Sequence, residues 1–97
     1  MVKLRVSRRA RADLDSIWLY VGRRDGVERA QRLIEGITGK FPLLAAQPGI
    51  GRRRDGLRPG LQSIPEGNYR IYYEQLRGKV NIVTIRHAAR REKDLLS

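Results

Sequence analysis

The segment NYRIYYEQLRGKVNIVTIRH, residues 68–87, decides the fold. Apolar and polar side chains alternate along both of its halves, and Tyr69, Ile71 and Tyr73 share one parity in the first half. This alternation is typical of strands that bury one face. Arg77-Gly78 lies between the halves and suits a two-residue hairpin turn. The segment therefore predicts two adjacent antiparallel strands.

The residues upstream of this segment add two strands and two helices. Residues 3–7 alternate between polar and apolar, and 61–64 form another short strand candidate. Apolar residues recur in steps of three and four over 10–21 and again over 27–44, which is the spacing of amphipathic helices. The stretch 22–26 contains two glycines and separates the helices. So short a connection predicts an antiparallel helical hairpin.

Particular residues are expected to shape the helical half. Ser7 is placed to cap the first helix, and Asp25 is placed to cap the second. Gly36 and Gly39 lie inside the second helix, where each costs about 1 kcal/mol relative to alanine, and small residues there would allow close packing of the first helix. Pro42 is expected to kink the second helix or to start a short new turn.

The predicted element order is β-α-α-β-β-β. A run of helices beside a run of strands predicts an α+β fold, with the helical hairpin packed on one face of a small, mainly antiparallel sheet. The first strand is expected to join that sheet, because an isolated strand leaves its backbone groups unsatisfied. Trp18 and Phe41 are expected to anchor the core. Residues 1–97 are interpreted as a single domain.

Charge is the dominant compositional feature. The chain carries 21 basic residues against 10 acidic ones, for a formal net charge of +11. The basic residues are spread over both halves of the sequence, so the body of the domain is itself basic. Such a charge attracts polyanions. Nucleic acid, the ribosome and an acidic protein are therefore the candidate partners, and no small-molecule substrate is expected.

Several kinds of site are disfavoured by composition. The absence of cysteine removes disulfides, thiolate metal sites and cysteine nucleophiles. His87 is the only histidine, so neither a metal site nor a cofactor is expected. No apolar stretch approaches the roughly 20 residues that span a bilayer, and no signal peptide is visible. We expect a cytoplasmic protein without a membrane partner.

A glycine-rich and arginine-rich stretch is the strongest local signal. Residues 48–60 are interpreted as a surface loop because they hold two prolines and four glycines. Glycines let the backbone approach a partner closely, and three successive arginines exceed what local pairing can satisfy. The hypothesis is an anion-contacting loop formed by Arg52, Arg53 and Arg54, and the alternative is a solvated charge run. No dinucleotide or phosphate-binding glycine motif fits this stretch.

The strands suggest two further hypotheses. Tyr69, Tyr72 and Tyr73 beside Arg70 resemble a stacking platform for bases, although such tyrosines are more often half-buried sheet residues. His87 follows Arg86 at the end of the last strand. It suits general acid–base cleavage of RNA, with arginines stabilising the phosphorane charge. The alternative, which we favour, is a hydrogen-bonded structural histidine.

Five segments, taken in order, resemble the RelE/ParE toxin superfamily and in particular its ParE branch. They extend over most of the chain, and their order and intervals carry the resemblance more than any one motif does. The segments are 12–20, 48–52, 57–63, 69–73 and 83–87.

The resemblance implies a toxin of a type II toxin–antitoxin system, often called a plasmid stabilisation protein. Its implied partners are an acidic ParD-like antitoxin and, as target, DNA gyrase, so that the protein is a binding toxin rather than an enzyme. The alternative is a RelE-like endoribonuclease that cuts mRNA on the ribosome. Because 88–97 contains no tyrosine, the non-catalytic branch is favoured. A third hypothesis is a plain nucleic-acid-binding module.

Three sets of site residues follow as expectations. Target binding is assigned to basic residues on irregular or terminal structure, which have few packing roles: Arg52, Arg53, Arg54, Arg86, Arg90 and Arg91. Antitoxin binding is assigned, through the resemblance, to Tyr20, Arg24 and Arg70. The alternative ribonuclease reading would use His87, Arg86, Arg70 and Arg58.

Overall fold

The computed structural model describes residues 2–89. Its elements confirm the α+β class and the predicted order, with additional short elements in the middle of the chain. They are β1 (Lys3–Val6), α1 (Arg8–Asp25), α2 (Val27–Gly39), α3 (Phe41–Ala46), a 3-10 turn (Pro48–Ile50), β2 (Arg52–Arg53), β3 (Leu61–Glu66), β4 (Tyr69–Leu76) and β5 (Lys79–His87).

One five-stranded sheet contains all the strands, in the order β1-β5-β4-β3-β2. β1 runs parallel to β5, and the other neighbouring pairs are antiparallel. The first strand therefore joins the sheet, as predicted. The β4–β5 hairpin turns at Arg77 and Gly78, whose φ angles of 45° and 77° are the positive values that a type I′ turn requires.

The start of α1 protects the part of β5 that the short β1 leaves unpaired. Ser7 caps α1 as predicted, because its Oγ accepts from the Ala10 amide at 3.0 Å and also donates to the Val83 carbonyl at 2.8 Å. One turn later, the Asp13 carboxylate accepts from the Ile85 amide at 3.0 Å and from the Thr84 hydroxyl. α1 therefore closes this edge of the sheet with side chains.

The boundary between the helices differs from the prediction. Asp25 is the last residue of α1, and the N-cap of α2 is Gly26. Helix α1 runs through Gly22 and ends only at Gly26, where a φ of 96° takes the chain out of helical geometry. The expected cap at Asp25 was wrong. Asp25 is still helical, and Gly26, which adopts positive φ without a steric penalty, is the residue at which α1 ends and α2 is capped.

The glycines expected to sit against α1 lie elsewhere. A Cβ at Gly36 would lie 2.8 Å from Glu66 Oε2 of β3, and a Cβ at Gly39 would meet nothing within 4 Å. The close approach between the helices is instead at Gly22, whose Cβ position lies 3.8 Å from Ala30 Cβ. Pro42 starts the short helix α3, which is one of the two predicted outcomes.

The core lies between the helices and one face of the sheet, which we call the inner face. Its sheet residues include Ile71, Tyr73 and Ile82, each fully buried. Phe41 is buried as expected, whereas Trp18 is half-buried at the margin of the core. No helix of the described residues is long and apolar enough to cross a membrane.

The opposite, outer face of the sheet has a much smaller apolar cluster. Leu61 and Tyr72 are buried there, with Leu57 and Val83 packed beside them. Residues 48–60 are correspondingly more ordered than the predicted surface loop. They contain the 3-10 turn and β2, which pairs antiparallel with β3 and forms one edge of the sheet. Arg52 and Arg53 are therefore strand residues.

Candidate functional site: two basic surfaces

Arginines surround Tyr72 on the outer face of the sheet. Strand alternation places Arg70 on the same face as Tyr72, and β4 pairs Arg70 directly opposite Arg86 of β5. Arg52 pairs with Ser63, which in turn pairs with Tyr72. We call this group the outer basic face, and it consists of Arg52, Arg54, Arg58, Arg70 and Arg86.

The side chains of the outer basic face are partly held by neighbours. Arg54 Nε donates to Ser63 Oγ at 2.9 Å, and Arg58 Nη2 donates to Glu74 Oε1 at 2.8 Å. Arg86 Nε is buried and has no hydrogen-bond partner among the described residues. Arg70 and Arg86 are direct cross-strand partners, so two guanidinium groups share this part of the outer face.

A tyrosine in the core supports the segment that leads into β2. Tyr73 Oη accepts from the Gly51 amide at 2.8 Å and donates to the Pro48 carbonyl at 2.7 Å. Gln62 Nε2 donates to the Gly51 carbonyl at 3.2 Å and so adds a second anchor. A Cβ at Gly51 would collide with the Tyr73 ring and hydroxyl. Burial raises the pKa of Tyr73, so the hydroxyl remains protonated at neutral pH.

Arg53 differs from its neighbours in β2. It pairs with Gln62, whose position on β3 has the parity of the inner face, so Arg53 does not share the face of Arg52. Its guanidinium binds Asp55 Oδ2 at 2.8 Å. The amide of Gly60 and the Arg53 guanidinium lower the pKa of Asp55 below its ordinary value. Arg53 therefore closes the 53–60 loop.

The second surface is a cleft of about 400 Å³ on the helical side of the molecule. It lies between the end of α1, the start of α2, the β3–β4 turn and the end of β5. We call it the basic cleft. Its charged and aromatic lining residues are Tyr20, Arg24, Asp25, Arg29, Arg32, Tyr69 and His87.

The arginines of the basic cleft surround one carboxylate. The Arg24 guanidinium lies 5.1 Å from the centre of the Tyr20 ring, and its Nε and Nη2 donate to Asp25 Oδ2 at 3.0 and 2.9 Å. Asp25 raises the pKa of Arg24 further above its already high value. Arg29 Nε lies 3.9 Å from the same oxygen, and Arg32 makes no ion pair within residues 2–89.

Two rings form the opposite wall of the cleft. Tyr69 and His87 are cross-strand partners whose rings meet edge to face with centres 5.2 Å apart. His87 Nδ1 accepts from the Ala89 amide at 3.1 Å, so a neutral imidazole carries its proton on Nε2. Burial raises the pKa of Tyr69, which keeps its hydroxyl neutral at physiological pH. This wall supplies donors without adding negative charge.

An apolar depression on α1 continues from the basic cleft. Ser16, Leu19 and Arg23 line it together with Tyr20 and Arg24, which also line the cleft. Leu19 and Tyr20 are exposed by 48% and 59%, which is high for residues of this size. The depression and the cleft thus form one surface that changes from apolar to basic along the helix.

The structure separates residues that the sequence analysis had grouped together. Strand alternation directs Arg86 and His87 to opposite faces of β5, yet both line a small cavity against α1 together with Asp13. Arg70, which pairs with Arg86, and Arg58, which binds Glu74, lie on the outer face and are not brought together with His87. Arg70 therefore also lies on the opposite side of the sheet from Tyr20 and Arg24. Arg90 and Arg91 fall outside the described residues.

Arg29 and Arg32 line the cleft although the sequence assigned them to no site, and Tyr69 lines it although it was predicted only in a stacking platform. Arg29 and Arg32 are three positions apart on α2 and so share a face, a spacing that the sequence displays. Nothing local indicates that this face meets the end of β5, since that contact depends on the packing of α2 on the sheet. Within residues 2–89, no group of three or more metal-ligating side chains occurs.

Comparisons with known proteins agree with this architecture. Residues 4–92 match the family model for the ParE toxin of the type II toxin–antitoxin system parDE. Toxin ParE1 of Caulobacter vibrioides is 34% identical over 87 residues, which is 90% of each chain. Toxin ParE1 of Mycobacterium tuberculosis is 30% identical over 79 residues, covering 80% of this chain and 81% of that protein.

Solved structures show the same fold. A chain of the chromosomal ParDE toxin–antitoxin system from P. aeruginosa superposes with a TM-score of 0.79 at 24% identity, covering 90% of this chain and 96% of its own. A chain of the RelBE2 toxin–antitoxin complex from Mycobacterium tuberculosis gives 0.65 at 22% identity, covering 89% and 96%. On the family match and the identities over nearly its whole length, the chain belongs to the ParE toxin family of type II toxin–antitoxin systems, within the RelE/ParE superfamily.

Proposed function

We propose that this chain arrests growth by binding DNA gyrase through its outer basic face, and that an acidic ParD-like antitoxin neutralises it. The observation that carries the target assignment is the concentration of arginines around Tyr72 on a sheet face that no helix of the described residues covers. A gyrase–DNA complex presents a large anionic surface, to which such a face is complementary. This target implies a cytoplasmic site of action.

The energetics of the outer basic face support a role in contact. The buried Arg86 Nε, which lies across from Arg70 in the β4–β5 register, lacks a hydrogen-bond partner within residues 2–89. An anionic partner would satisfy that donor. Arg52 is exposed on the edge strand beside them, so it is accessible to the same partner. Arg53, which closes its own loop through Asp55, contributes less in this proposal.

The antitoxin assignment is supported by the surface on the helical side. Tyr20 and Arg24 stand at the junction of the apolar depression and the basic cleft. An acidic segment that folds on contact would bury exposed apolar side chains and pair with arginines at once. The sequence-based inclusion of Arg70 in this set is dropped, since Arg70 lies on the other side of the sheet.

A charge-reversal experiment tests the target assignment. We expect Arg52→Glu with Arg86→Glu to abolish growth arrest and the inhibition of gyrase in supercoiling and DNA-break assays. The fold should persist, because Glu at 86 would stand opposite Arg70 as a favourable cross-strand pair. Arg9→Glu with Arg11→Glu removes the same charge from exposed positions on α1 and should leave arrest in place. Equal loss in both double variants would refute a specific role for the outer basic face.

A ribonuclease function makes a different prediction for His87. The imidazole lines the basic cleft, whereas Arg58 and Arg70 belong to the other side of the sheet, so no acid–base pair with them is assembled. We therefore expect His87→Ala to retain growth arrest. Primer extension on translated mRNA should show no toxin-dependent cut. Cleavage that His87→Ala abolishes, with the fold and antitoxin binding intact, would establish the endoribonuclease instead.

A further inference from the structure

We propose that the basic cleft is a carboxylate pocket that receives an acidic side chain from an amphipathic helix of the antitoxin, while the apolar face of that helix covers Leu19 and Tyr20. This inference rests on the proposed function, because it takes the partner to be an antitoxin. It assigns the anchoring of that partner to Arg29 and Arg32, which lie on the helical side, away from the outer basic face.

The charge balance of the cleft leaves room for one more anion. Three arginines and a single carboxylate, that of Asp25, line the cleft, and both close contacts of that carboxylate are made by Arg24. Arg29 reaches it only at 3.9 Å and remains 67% exposed. Arg32 has no acidic partner within residues 2–89. A carboxylate placed between Arg29 and Arg32 would therefore form charge-assisted hydrogen bonds without displacing Asp25.

The opposite wall of the cleft suits the same ligand. The Tyr69 hydroxyl is protonated at neutral pH, and the Nδ1 contact of His87 leaves Nε2–H as a donor on a ring that lines the cavity. Gly67 and Asn68 of the β3–β4 turn also line the cleft, and neither adds negative charge. A cavity of about 400 Å³ is large enough for one acidic side chain.

Continuity with the apolar depression favours a peptide over a phosphate ligand. Tyr20 and Arg24 belong to both cavities, so a helix lying along α1 would meet Leu19 with its apolar side and the arginines with a residue about one turn away. A free phosphate or a nucleic-acid phosphate would satisfy the guanidinium groups but would leave Leu19 exposed. The combined surface fits an amphipathic acidic helix.

The test uses this toxin chain and the acidic ParD-like antitoxin that the proposed function assigns to it. We expect Arg29→Glu with Arg32→Glu to raise the Kd of the complex roughly 100-fold, since two charge-assisted contacts are replaced by repulsion. The variant should still arrest growth, and co-expressed antitoxin should no longer rescue it. The control Arg9→Glu with Arg11→Glu, which makes the same change in net charge, should shift the Kd less than about threefold.

A charge exchange identifies the residue that enters the pocket. Acidic residues of the antitoxin are replaced by lysine one at a time, and one replacement should restore binding to the Arg29→Glu, Arg32→Glu toxin while weakening binding to the wild type. If the wild-type complex forms and the cleft variant binds as tightly, the inference is wrong while the proposed function stands. Failure of the wild-type toxin to bind that antitoxin would sink the proposed function itself.

Inorganic phosphate and a short DNA duplex serve as competing probes, followed by amide chemical shifts. The inference would be overturned if either probe shifts the amides of the cleft residues and the Arg29→Glu, Arg32→Glu variant loses those shifts while it still binds antitoxin normally. The pocket would then be reassigned to a phosphate ligand. We expect both probes to shift cleft residues no more than they shift other exposed arginines, such as Arg9.

Discussion

The two faces of the sheet differ in how far the rest of the described chain covers them. The inner face is covered by helices and carries a continuous apolar core, in which Ile71 and Ile82 are completely buried. The apolar cluster of the outer face is much smaller: Leu61 and Tyr72 are buried in it, and arginines of the described strands lie around them. The same strands build both faces, because successive side chains point in opposite directions. Sequence neighbours can therefore differ sharply in what they contribute.

Truncating the inner face should have the largest effect. Ile82 and Val83 are adjacent on β5, but Ile82 is fully buried in the main core while Val83 is half-buried beside Tyr72. Ile82→Ala should lower the free energy of unfolding by about 2–5 kcal/mol through lost burial and a cavity. Val83→Ala should cost about 1 kcal/mol, because its smaller side chain is only partly buried. Urea denaturation of both variants measures the difference, and equal costs would remove the distinction between the faces.

Substitution of Gly51, which packs against the core Tyr73 just before β2, should have the second-largest effect on stability. Gly51→Ala forces a Cβ into the Tyr73 ring, so either the 48–51 turn or the core tyrosine must move. We expect a loss of about 2–3 kcal/mol, as for other overpacked sites. Gly49→Ala is the matched control, since a Cβ there meets nothing within 4 Å. Thermal melting of the two variants compares them, and an unchanged midpoint for Gly51→Ala would show that the turn yields freely.

Removing a single hydroxyl should give a smaller effect. Tyr73→Phe keeps the ring but deprives the Gly51 amide and the Pro48 carbonyl of their partner, which should cost about 1–3 kcal/mol. Tyr20→Phe removes a hydroxyl from an exposed ring and should leave the unfolding midpoint near that of the wild type. Growth arrest should weaken in Tyr73→Phe if the hydroxyl also positions Arg52. A Tyr73→Phe variant that arrests growth fully and unfolds at the wild-type midpoint would contradict both expectations.

The smallest effect should appear in acid. Asp55 has a lowered pKa in the folded state, so its contribution to stability is present above the ordinary aspartate pKa and is lost as pH falls through the folded value. The difference in unfolding midpoint between the wild type and Asp55→Asn should therefore shrink below about pH 4. Thermal melting of both proteins at a series of pH values, from neutral to acidic, measures this difference in unfolding midpoint. A difference that persists unchanged at low pH would exclude the ionised carboxylate as its source.

Local patterns account for the elements that the sequence predicted. Period-two alternation placed β4 and β5, and the spacing of apolar residues placed α1 and α2. Ser7 was predictable as a cap because its signal and its partner lie within one turn. The segment 48–52, which contains Gly51, was recognisable in the sequence, but the reason for a glycine at position 51 was not. The tyrosine that excludes a side chain there is 22 residues away.

The candidate sites were predictable only in part, since they depend on tertiary packing. Tyr20 and Arg24 were named together and do share the basic cleft. His87 was grouped with Arg58 and Arg70, but the fold places these arginines on the other face of the sheet. Neither Arg29 nor Arg32 was assigned to a site from sequence. An exposed arginine on a helix is explained by solvation alone unless another element is known to pack beside it. Which face a helix presents to a sheet is a long-range property.

The side-chain closure of β5 by Ser7 and Asp13 has a consequence for self-association. An unpaired strand edge is a template for adding another chain, and a toxin sheet left open along β5 would invite aggregation when expression is high. With α1 covering that stretch, the lateral edges of the described sheet are β1 and the two-residue β2. Both are short, and both carry Lys or Arg side chains that repel a second copy. Replacing Asp13 would thus change colloidal behaviour as well as local hydrogen bonding.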